Sequence, residues 1–162
     1  ILTLIDQADY LEEWTKDYLT LTISPDDWQQ LQQQYSSSGN LIQEVKLFLE
    51  KSILSRPNNP YQCCLLDHEE TESLAHLCDT FAHHPLLQNF TQSFDNNNKL
   101  LWATINQEEK TFFIHSSPLD VSTILSPHLD NSTIVLMGGF IDSQKMAPIY
   151  RQNIGLNQDI LC

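Results

Sequence analysis

The chain has 162 residues, of which 41% are hydrophobic, so it is long enough to bury the core of one domain or of a large piece of one. Its formal net charge is −13, and its eight Lys and Arg residues are scattered along the sequence. Because non-specific binding to nucleic acid depends on Lys and Arg that neutralise phosphates, we expect the chain to bind DNA poorly by itself. The sequence shows no signal-peptide pattern and no long apolar run, which argues against secretion and against a membrane partner.

Both ends of the chain are apolar, and residue 1 is not Met. We therefore expect a segment of a longer parent protein. The four cysteines include the adjacent pair Cys63-Cys64, which does not suit a disulfide framework, so reduced thiols in a cytoplasmic protein are the expectation.

The N-terminal segment Thr3-Leu4-Ile5 is a short apolar run with branched side chains, followed directly by Asp6-Gln7-Ala8-Asp9. This pattern predicts a buried strand and then a helix over residues 6–19. The carboxyl ends of strands in α/β sheets bind ligands, and nucleotide-driven motors place a carboxylate near Mg²⁺ and the γ-phosphate at such a position. Taken alone, the simpler interpretation is a strand end at which Asp6 caps a helix.

The middle of the chain is mostly helical by pattern. Ser24-Pro25-Asp26-Asp27 combines an N-cap serine, a proline at the first helical position and acids in the first turn, which predicts a helix start. Residues 41–54 form a second amphipathic pattern, with Leu41, Val45, Phe48, Leu49 and Ile53 on its apolar face. Asp67 is predicted to cap a further helix, and residues 86–94 are predicted to add a short one.

Strand patterns return after residue 99. Residues 100–105 and 111–115 predict a hairpin, and Ser117-Pro118 is predicted to cap a helix that runs to about Ser126. Residues 133–136 predict another buried strand, which Gly138-Gly139 follows. A last helix is predicted to end at Gly155 as its C′ glycine.

Two groups of side chains in the middle of the chain have a functional and a plainer interpretation. Trp28, Tyr35 and Phe48 could stack on bases in a DNA channel, but their helical spacing favours packing against other helices. Glu72 and His76 share one predicted helical face with His68 and Cys78 nearby, but they lack the repeated ligand spacing of zinc sites, which favours ordinary side chains over metal ligands.

Three segments resemble the DinG/XPD branch of the superfamily 2 helicases: Pro118-Leu119-Asp120-Val121-Ser122, then Ile134-Val135-Leu136-Met137-Gly138-Gly139-Phe140-Ile141, then Tyr150-Arg151-Gln152-Asn153-Ile154-Gly155-Leu156. In that family an apolar strand leads into motif III, Thr-Ser-Ala-Thr-Leu, and an Arg-x-x-Gly-Leu-like stretch follows. The Walker B motif lies upstream, and a helical insertion called the arch separates it from motif III. The chain has this order over essentially its whole length.

The resemblance implies an α+β fold in which residues 1–19 and 99–162 are part of a RecA-like helicase motor domain 1, and residues 20–98 form a helical arch-like insertion on its small sheet. It also implies that the parent uses ATP and Mg²⁺ and translocates on single-stranded DNA. Asp6 would hold Mg²⁺ through water in an intact parent. The kinship further requires the strands at residues 3–5 and 133–136 to lie side by side and parallel.

At the Walker B positions, Asp6, Gln7 and Asp9 stand where the helicase motif has Asp-Glu-Ala-His. Gln7 replaces the Glu that activates the attacking water. An amide can hydrogen-bond that water but cannot take its proton, and losing a general base costs on the order of 10²–10⁴ in rate. Asp9 replaces the His that links nucleotide state to motif III.

At the motif III positions, Met137 and Gly138 stand in place of the Thr and Ser, and Gly139, Phe140 and Ile141 replace Ala, Thr and Leu. The plainer interpretation of the two glycines is a tight turn after a strand. Erosion of both motifs on retained strands is typical of a scaffold kept after its chemistry was lost.

The remaining parts of a motor are missing from these residues. The chain contains no Gly-x-x-x-x-Gly-Lys-Ser/Thr phosphate loop. By the resemblance, the iron–sulfur cysteines would lie before Ile1, and the second motor domain with its arginine fingers would lie after Cys162. We therefore expect the chain by itself to bind no ATP or Mg²⁺ and to hydrolyse nothing. Its partners would be the rest of the parent, DNA through the parent, and other proteins.

Two alternatives stay open at this stage. In one, the chain is a piece of an active ATP-dependent DNA helicase in which other residues have taken over the lost roles. In the other, it is an unrelated regulatory or metal-binding domain.

Overall fold

Helices and strands are mixed along the chain, which gives an α+β fold. The computed structural model describes residues 2–35, 40–57, 59–94, 98–130, 133–139, 141 and 149–156. A single 3₁₀ turn, Ala8–Tyr10, precedes the first α-helix. In chain order the other elements are β1 (Leu2–Ile5), α1 (Leu11–Leu19), β2 (Leu21–Ile23), α2 (Pro25–Gln34), α3 (Asn40–Leu54), β3 (Cys63–Leu65), α4 (His68–Thr80), α5 (Pro85–Phe94), β4 (Lys99–Asn106), β5 (Thr111–Pro118), α6 (Ser122–Asp130), β6 (Thr133–Leu136) and α7 (Ile149–Ile154).

The chain divides into two units: a terminal unit, residues 1–19 and 118–162, and a central unit, residues 20–117. This division differs from the predicted boundary between residues 98 and 99. The strands β4 and β5 lie in the middle of the central sheet, so the hairpin groups with the central unit and not with the chain ends. Among the described residues, no helix is both long and apolar enough to cross a membrane.

The central unit contains a four-stranded sheet in the order β2-β5-β4-β3. The predicted hairpin is confirmed as β4 and β5, which are hydrogen-bonded neighbours joined by residues 107–110. β2 pairs antiparallel with β5 and β3 pairs antiparallel with β4. The sequence did not predict β2, because a three-residue strand has too few positions to show an alternating pattern.

Two helices of the central unit begin at the N-cap residues that their sequences predict, and in both the N-cap is part of a capping box. At α2, the Asp27 amide donates to Ser24 Oγ at 3.2 Å and the Ser24 amide donates to Asp27 Oδ2 at 2.8 Å. At α4, the Glu70 amide donates to Asp67 Oδ1 at 2.9 Å and the Asp67 amide donates to Glu70 Oε2 at 2.8 Å. Each box satisfies backbone donors that a helix N-terminus otherwise leaves without a partner.

The core of the central unit lies between its helices and one face of its sheet. Trp28 is completely buried there, so packing, not base stacking, is its role, and Tyr35 packs against Phe81 at 4.7 Å between ring centroids. Phe48, predicted on the apolar face of α3, is 37% exposed, and Ile42 is buried instead. The other buried side chains of this core are Ile23, Leu31, Val45, Leu49, Ile53, Leu74, Leu77, Cys78, Leu87, Phe90, Ala103, Ile105, Phe112 and Ile114.

A buried carboxylate joins the end of α3 to the start of α4. Glu70 is completely buried, although acids in the first turn of a helix are usually exposed. It accepts hydrogen bonds from Ser52 Oγ at 2.6 Å and from Arg56 Nη2 at 2.6 Å, besides the bond from the Asp67 amide. Arg56 also donates to the Leu65 carbonyl and to Asp67 Oδ2, so one guanidinium ties β3, α3 and α4 together.

The second face of the central sheet carries an imidazole held by two hydroxyls. His115 Nδ1 is hydrogen-bonded with Thr22 Oγ1, and His115 Nε2 with Thr104 Oγ1, both at 2.9 Å. The ring stacks on Trp102 with 4.2 Å between centroids. Burial lowers the pKa of His115 below its ordinary value of 6.5, because the charged ring would lose hydration.

We predict that this imidazole makes the central unit less stable in mild acid. The pKa of His115 is depressed in the folded state, so the unfolded chain takes up the proton more readily. The stabilising contribution of His115 is therefore complete above pH 6.5 and is lost as the pH falls from 6.5 through the lower folded-state pKa.

Urea unfolding between pH 8 and pH 5 should show this loss of stability in the wild type but not in His115→Gln. His76→Gln, at an exposed position, is the matched control, and this variant should lose stability in mild acid as the wild type does. Equal pH profiles for wild type and His115→Gln would contradict the prediction.

In the terminal unit, β1 and β6 form a two-stranded parallel sheet in the register Leu2↔Thr133 to Ile5↔Leu136. This confirms the parallel pairing that the resemblance requires. The prediction that both strands are buried is wrong: Leu2 is 66% exposed, Leu4 is 61% exposed and Val135 is 42% exposed. The physical reason is that a sheet of two strands leaves apolar side chains on its faces open unless another layer covers them.

The helix predicted to begin at Ser117-Pro118 begins later. Pro118 is the last residue of β5, and α6 starts at Ser122. Asp120 makes the turn before it, because its carboxylate accepts from the Ser122 amide at 2.7 Å and from Ser122 Oγ at 2.8 Å. Local bonding of an Asp side chain to the backbone two residues later is a known way to start a helix.

The predicted end of the last helix is confirmed. Gly155 has φ +73°, in the left-handed region, and its amide donates to the Gln152 carbonyl at 3.1 Å. The Leu156 amide donates to the Arg151 carbonyl at 2.8 Å. This pair of bonds is a Schellman motif, which satisfies carbonyls that the helix end leaves without partners.

Candidate functional site

The candidate site lies at the edge of the terminal sheet where both parallel strands end. Asp6 and Gln7 follow β1, and Met137 and Gly138 follow β6. The two following segments are tied together by the backbone: the Met137 amide donates to the Ile5 carbonyl at 2.9 Å, and the Ala8 amide donates to the Met137 carbonyl at 2.8 Å. The segments that follow the two strands predicted to pair are therefore in direct contact.

The backbone turns sharply directly after Asp6. Gln7 has φ 53°, a left-handed conformation that is uncommon for residues other than Gly. The Gln7 amide donates to Asp6 Oδ1 at 2.9 Å, so the carboxylate braces this turn. The predicted helix start at residue 6 is wrong, since the first helical turn begins at Ala8, and Asp6 caps the turn and not the helix.

Asp9 and Gly138 bring the two motifs into direct contact. A Cβ placed on Gly138 would lie 2.6 Å from Asp9 Oδ1 and 3.1 Å from the Asp9 amide nitrogen, so a side chain at this position would require the Asp9 carboxylate to move. At Gly139 the nearest described atom to an added Cβ is Asp9 Oδ2 at 4.0 Å, which is ordinary contact. Gly138 is therefore the more tightly packed of the two glycines. Phe140, the remaining motif III-like position, lies outside the described residues.

The third segment of the resemblance also contacts this edge. The Tyr150 hydroxyl donates to the Ala8 carbonyl at 2.6 Å, and Asn153 Nδ2 donates to Glu12 Oε2 at 2.9 Å. Thus α7 holds both the 3₁₀ turn and α1 in place.

An open cleft of about 600 Å³ lies at the same edge. Its lining includes five of the predicted site residues. Met137, another predicted site residue, is not among the lining residues; it is half-exposed and lies next to Gly138 in the chain. Two further lining residues, Tyr10 and Trp14, fall within the helix predicted over residues 6–19. Their rings stack with 6.1 Å between centroids, and both are about half-exposed. Their i, i+4 spacing directly after an acidic segment is the signal that could have found them. The lining consists of Asp6, Gln7, Asp9, Tyr10, Trp14, Gly138 and Gly139.

The cleft is acidic, because Asp6 and Asp9 line it and no Lys or Arg is among the described lining residues. Two carboxylates suit a hard cation such as Mg²⁺ that keeps several waters. However, no group of three or more His, Cys, Asp or Glu side chains is placed to hold a metal in the described part of the chain. Among the described residues, the cleft therefore offers two carboxylates to a cation and no third His, Cys, Asp or Glu beside them.

The other metal ligands considered from sequence form no cluster of three or more in the described part of the chain. His68 Nε2 lies 3.3 Å from Glu72 Oε1 in an exposed pair, and Cys78 is completely buried. Burial raises the pKa of the Cys78 thiol to about 12, so it stays protonated and is a poor ligand. Cys63, Cys64 and Cys78 are free thiols.

The chemistry available at the cleft is limited by Gln7. Its amide can orient a water but cannot accept the proton of that water. Asp6, whose carboxylate could accept a proton, accepts a hydrogen bond from the Gln7 amide.

Comparison with known proteins finds no family model that matches this chain and no match among curated protein sequences.

Proposed function

We propose that the chain is a segment of a DinG/XPD-like, ATP-dependent DNA helicase family protein whose catalytic motifs have decayed, and that by itself it has a structural or interaction role without ATPase activity. The observation that carries the proposal is the junction of β1 and β6. Two parallel, adjacent strands deliver the Walker B-like and motif III-like residues to one edge, where Asp9 packs against Gly138.

The exposure of the terminal sheet supports the same proposal. Parallel sheets are ordinarily covered on both faces, and a two-stranded sheet alone is marginally stable in water. Leu2 and Leu4 on β1, and Val135 on β6, are exposed apolar side chains on such a sheet. In the proposal, further parallel strands of a RecA-like motor domain 1 complete this sheet.

The proposal assigns separate roles to the two units. The central unit, residues 20–117, is the insertion that the family carries between its Walker B and motif III strands, with its own sheet and core. The terminal unit is the retained part of the motor. The partners of the whole chain, in this proposal, are the rest of the parent, DNA through the parent and other proteins. The proposed location of the chain is the cytoplasm.

ATP and Mg²⁺ belong to the complete site of an intact parent. Asp6 would hold Mg²⁺ through water, because it is the carboxylate directly at the strand end. Gln7 would bind the attacking water without activating it. A phosphate loop and arginine fingers would come from outside these residues.

The ATPase rate of the full-length protein tests the proposal. We expect no Mg²⁺-dependent, DNA-stimulated hydrolysis above background in the wild type. Gln7→Glu restores only the general base. Because the proposed decay includes the motif III positions as well, we also expect this variant to show no gain in ATPase rate. Gln30→Glu, an amide-to-acid change at an exposed position of the central unit, is the charge control.

Two outcomes would contradict the proposal. Robust hydrolysis by the wild type would favour an active helicase. A gain on the order of 10²–10⁴ in Gln7→Glu, absent from Gln30→Glu, would show that an otherwise assembled site lacks only its base.

A further inference from the structure

One side of α1 in the terminal unit carries a row of exposed aromatic rings. Tyr10 directly precedes α1, and Trp14 and Tyr18 follow at intervals of four residues, so the three side chains lie on one side of the helix. Tyr10 is 49% exposed, Trp14 is 46% exposed and Tyr18 is 89% exposed. Among the described residues, the other exposed Phe, Tyr and Trp side chains are Phe48 and Tyr61 alone, so exposed aromatic surface is concentrated at this helix.

The opposite side of α1 has its partners within the terminal unit. Glu12 on that side pairs with Lys16 Nζ at 2.6 Å and accepts a hydrogen bond from Asn153 Nδ2 at 2.9 Å. Because Asn153 belongs to α7, that helix packs on the Glu12 side of α1. The aromatic side of α1 therefore faces away from α7 and remains exposed.

Acidic side chains lie beside these rings. Glu13 and Asp17 each follow one of the rings by three residues, and both are exposed. Asp6 and Asp9 line the same cleft as the first two rings. In the described part of the chain, none of these four carboxylates lies within 4.0 Å of a Lys, Arg or His side-chain nitrogen. This side of α1 therefore combines aromatic rings with negative charge, and a cationic partner complements both.

The guanidinium group of arginine suits this combination. It stacks on the faces of Trp and Tyr rings, and its planar fork pairs with carboxylates. Side chains four residues apart on a helix are separated by about one turn, roughly 5.4 Å, and alternate residues of an extended chain are about 6.7 Å apart. An extended segment can therefore present arginines to successive turns of α1. The bases of a nucleic acid could also stack on the rings, but the carboxylates would repel its phosphates.

We infer that this surface, the α1 face formed by Tyr10, Glu13, Trp14, Asp17 and Tyr18, binds an extended, arginine-containing segment of a separate basic protein. Guanidinium groups of the segment stack on the rings of Trp14 and Tyr18 and pair with the carboxylates beside them. A second copy of the chain does not fit, because it brings eight Lys and Arg against 21 Asp and Glu. The inference rests on the interaction role proposed above, to which it gives a partner of stated chemistry.

Titration of a labelled peptide of four Gly-Arg pairs with the full-length protein, followed by fluorescence anisotropy, tests the inference. We expect saturable binding at an ionic strength of about 0.15 M, at which long-range attraction between exposed charges is largely screened. A peptide of four Gly-Lys pairs carries the same charge. It should bind at least about threefold more weakly, because Lys lacks the planar group that stacks on a ring.

Variants of the α1 face separate the two kinds of contact, and all of them change exposed side chains. Trp14→Ala combined with Tyr18→Ala should weaken binding of the Gly-Arg peptide about fivefold or more and reduce the preference for Arg over Lys. Glu13→Gln combined with Asp17→Asn should weaken the binding of both peptides by a similar factor and make it less sensitive to salt. This second variant should keep the preference for Arg.

Matched variants in the central unit show whether these effects belong to the α1 face. Tyr61→Ala removes an exposed tyrosine, and Glu44→Gln combined with Glu69→Gln removes two negative charges from exposed positions. We expect both to bind the Gly-Arg peptide as the wild type does.

Four results would overturn the inference: no saturable binding of the Gly-Arg peptide, equal binding of the Gly-Lys peptide, equal weakening by the α1-face and control variants, or displacement of the peptide by a single-stranded DNA oligonucleotide. Dimerisation of the wild type that is lost on combining Trp14→Ala with Tyr18→Ala would also overturn it, because a second copy would then occupy the α1 face. None of these measurements involves the ATPase rate, so failure of peptide binding and failure of the proposed helicase kinship are distinguishable.

Discussion

Replacing Glu70 with alanine is expected to lower the free energy of unfolding of the central unit by about 3–5 kcal/mol, the typical cost of breaking a buried ion pair from one side. The carboxylate is completely buried and accepts three hydrogen bonds, from Ser52 Oγ, Arg56 Nη2 and the Asp67 amide. Its removal leaves the Ser52 hydroxyl and the Asp67 amide without these partners. It also leaves the half-buried guanidinium of Arg56 with the more exposed Asp67 as its remaining carboxylate.

Urea unfolding followed by circular dichroism at 222 nm measures this effect. Glu69→Ala is the matched control, because Glu69 is the adjacent acid of the same helical turn but is exposed. We expect the control to change stability by no more than about 0.5 kcal/mol, as surface substitutions usually do. If Glu70→Ala and Glu69→Ala were equally stable, the buried network would not contribute as described.

Replacing Gly155 with alanine is expected to destabilise the terminal unit by about 2–4 kcal/mol. Two costs add. The left-handed backbone at φ +73° disfavours any residue with a Cβ, and that Cβ would overlap the carbonyl oxygen of Ser122 while lying 3.0 Å from Ser126 Cβ. Because Ser122 and Ser126 belong to α6, the substitution should push α6 and α7 apart.

Hydrogen exchange of the amides of α6 and α7 reports this change locally. We expect protection to fall in both helices while the amides of the central unit keep theirs. Gly139→Ala is the matched control, since the nearest atom of the described residues to its added Cβ is Asp9 Oδ2 at 4.0 Å. Unchanged protection of α6 in Gly155→Ala would contradict the packing described here.

Local signals in the sequence predicted much of the fold. The N-caps at Ser24 and Asp67, the C′ glycine at Gly155 and the β4–β5 hairpin all depend on residues within a few positions of one another. Such features follow from short-range backbone chemistry, which the residue types reveal directly.

Features that depend on distant residues were missed. β2 is a strand because β5 lies beside it, more than ninety positions later in the chain. Glu70 looks like an ordinary exposed acid of a first helical turn until Arg56 and Ser52 are brought to it. The helix predicted at Ser117-Pro118 was displaced because β5 extends through Pro118 and Asp120 forms the turn that starts α6.

The candidate site shows the same division. Asp6, Gln7, Asp9, Gly138 and Gly139 were predicted from motif positions, and the structure places all five at one cleft. The stacked pair Tyr10 and Trp14 was not predicted as part of it, because helical spacing alone does not show which side of a helix faces a cleft. The exposure of Leu2 and Leu4 could not be foreseen either, because an apolar strand pattern does not show how many layers cover it.

An experimental structure of the full-length protein that contains this segment is the decisive test of the proposed helicase kinship. We predict that further parallel strands flank the β1–β6 pair and cover Leu2 and Leu4, with the cleft at Asp6 and Gln7 opening where those strands end. A structure in which β1 and β6 remain a separate two-stranded sheet, or are joined by antiparallel neighbours, would contradict it.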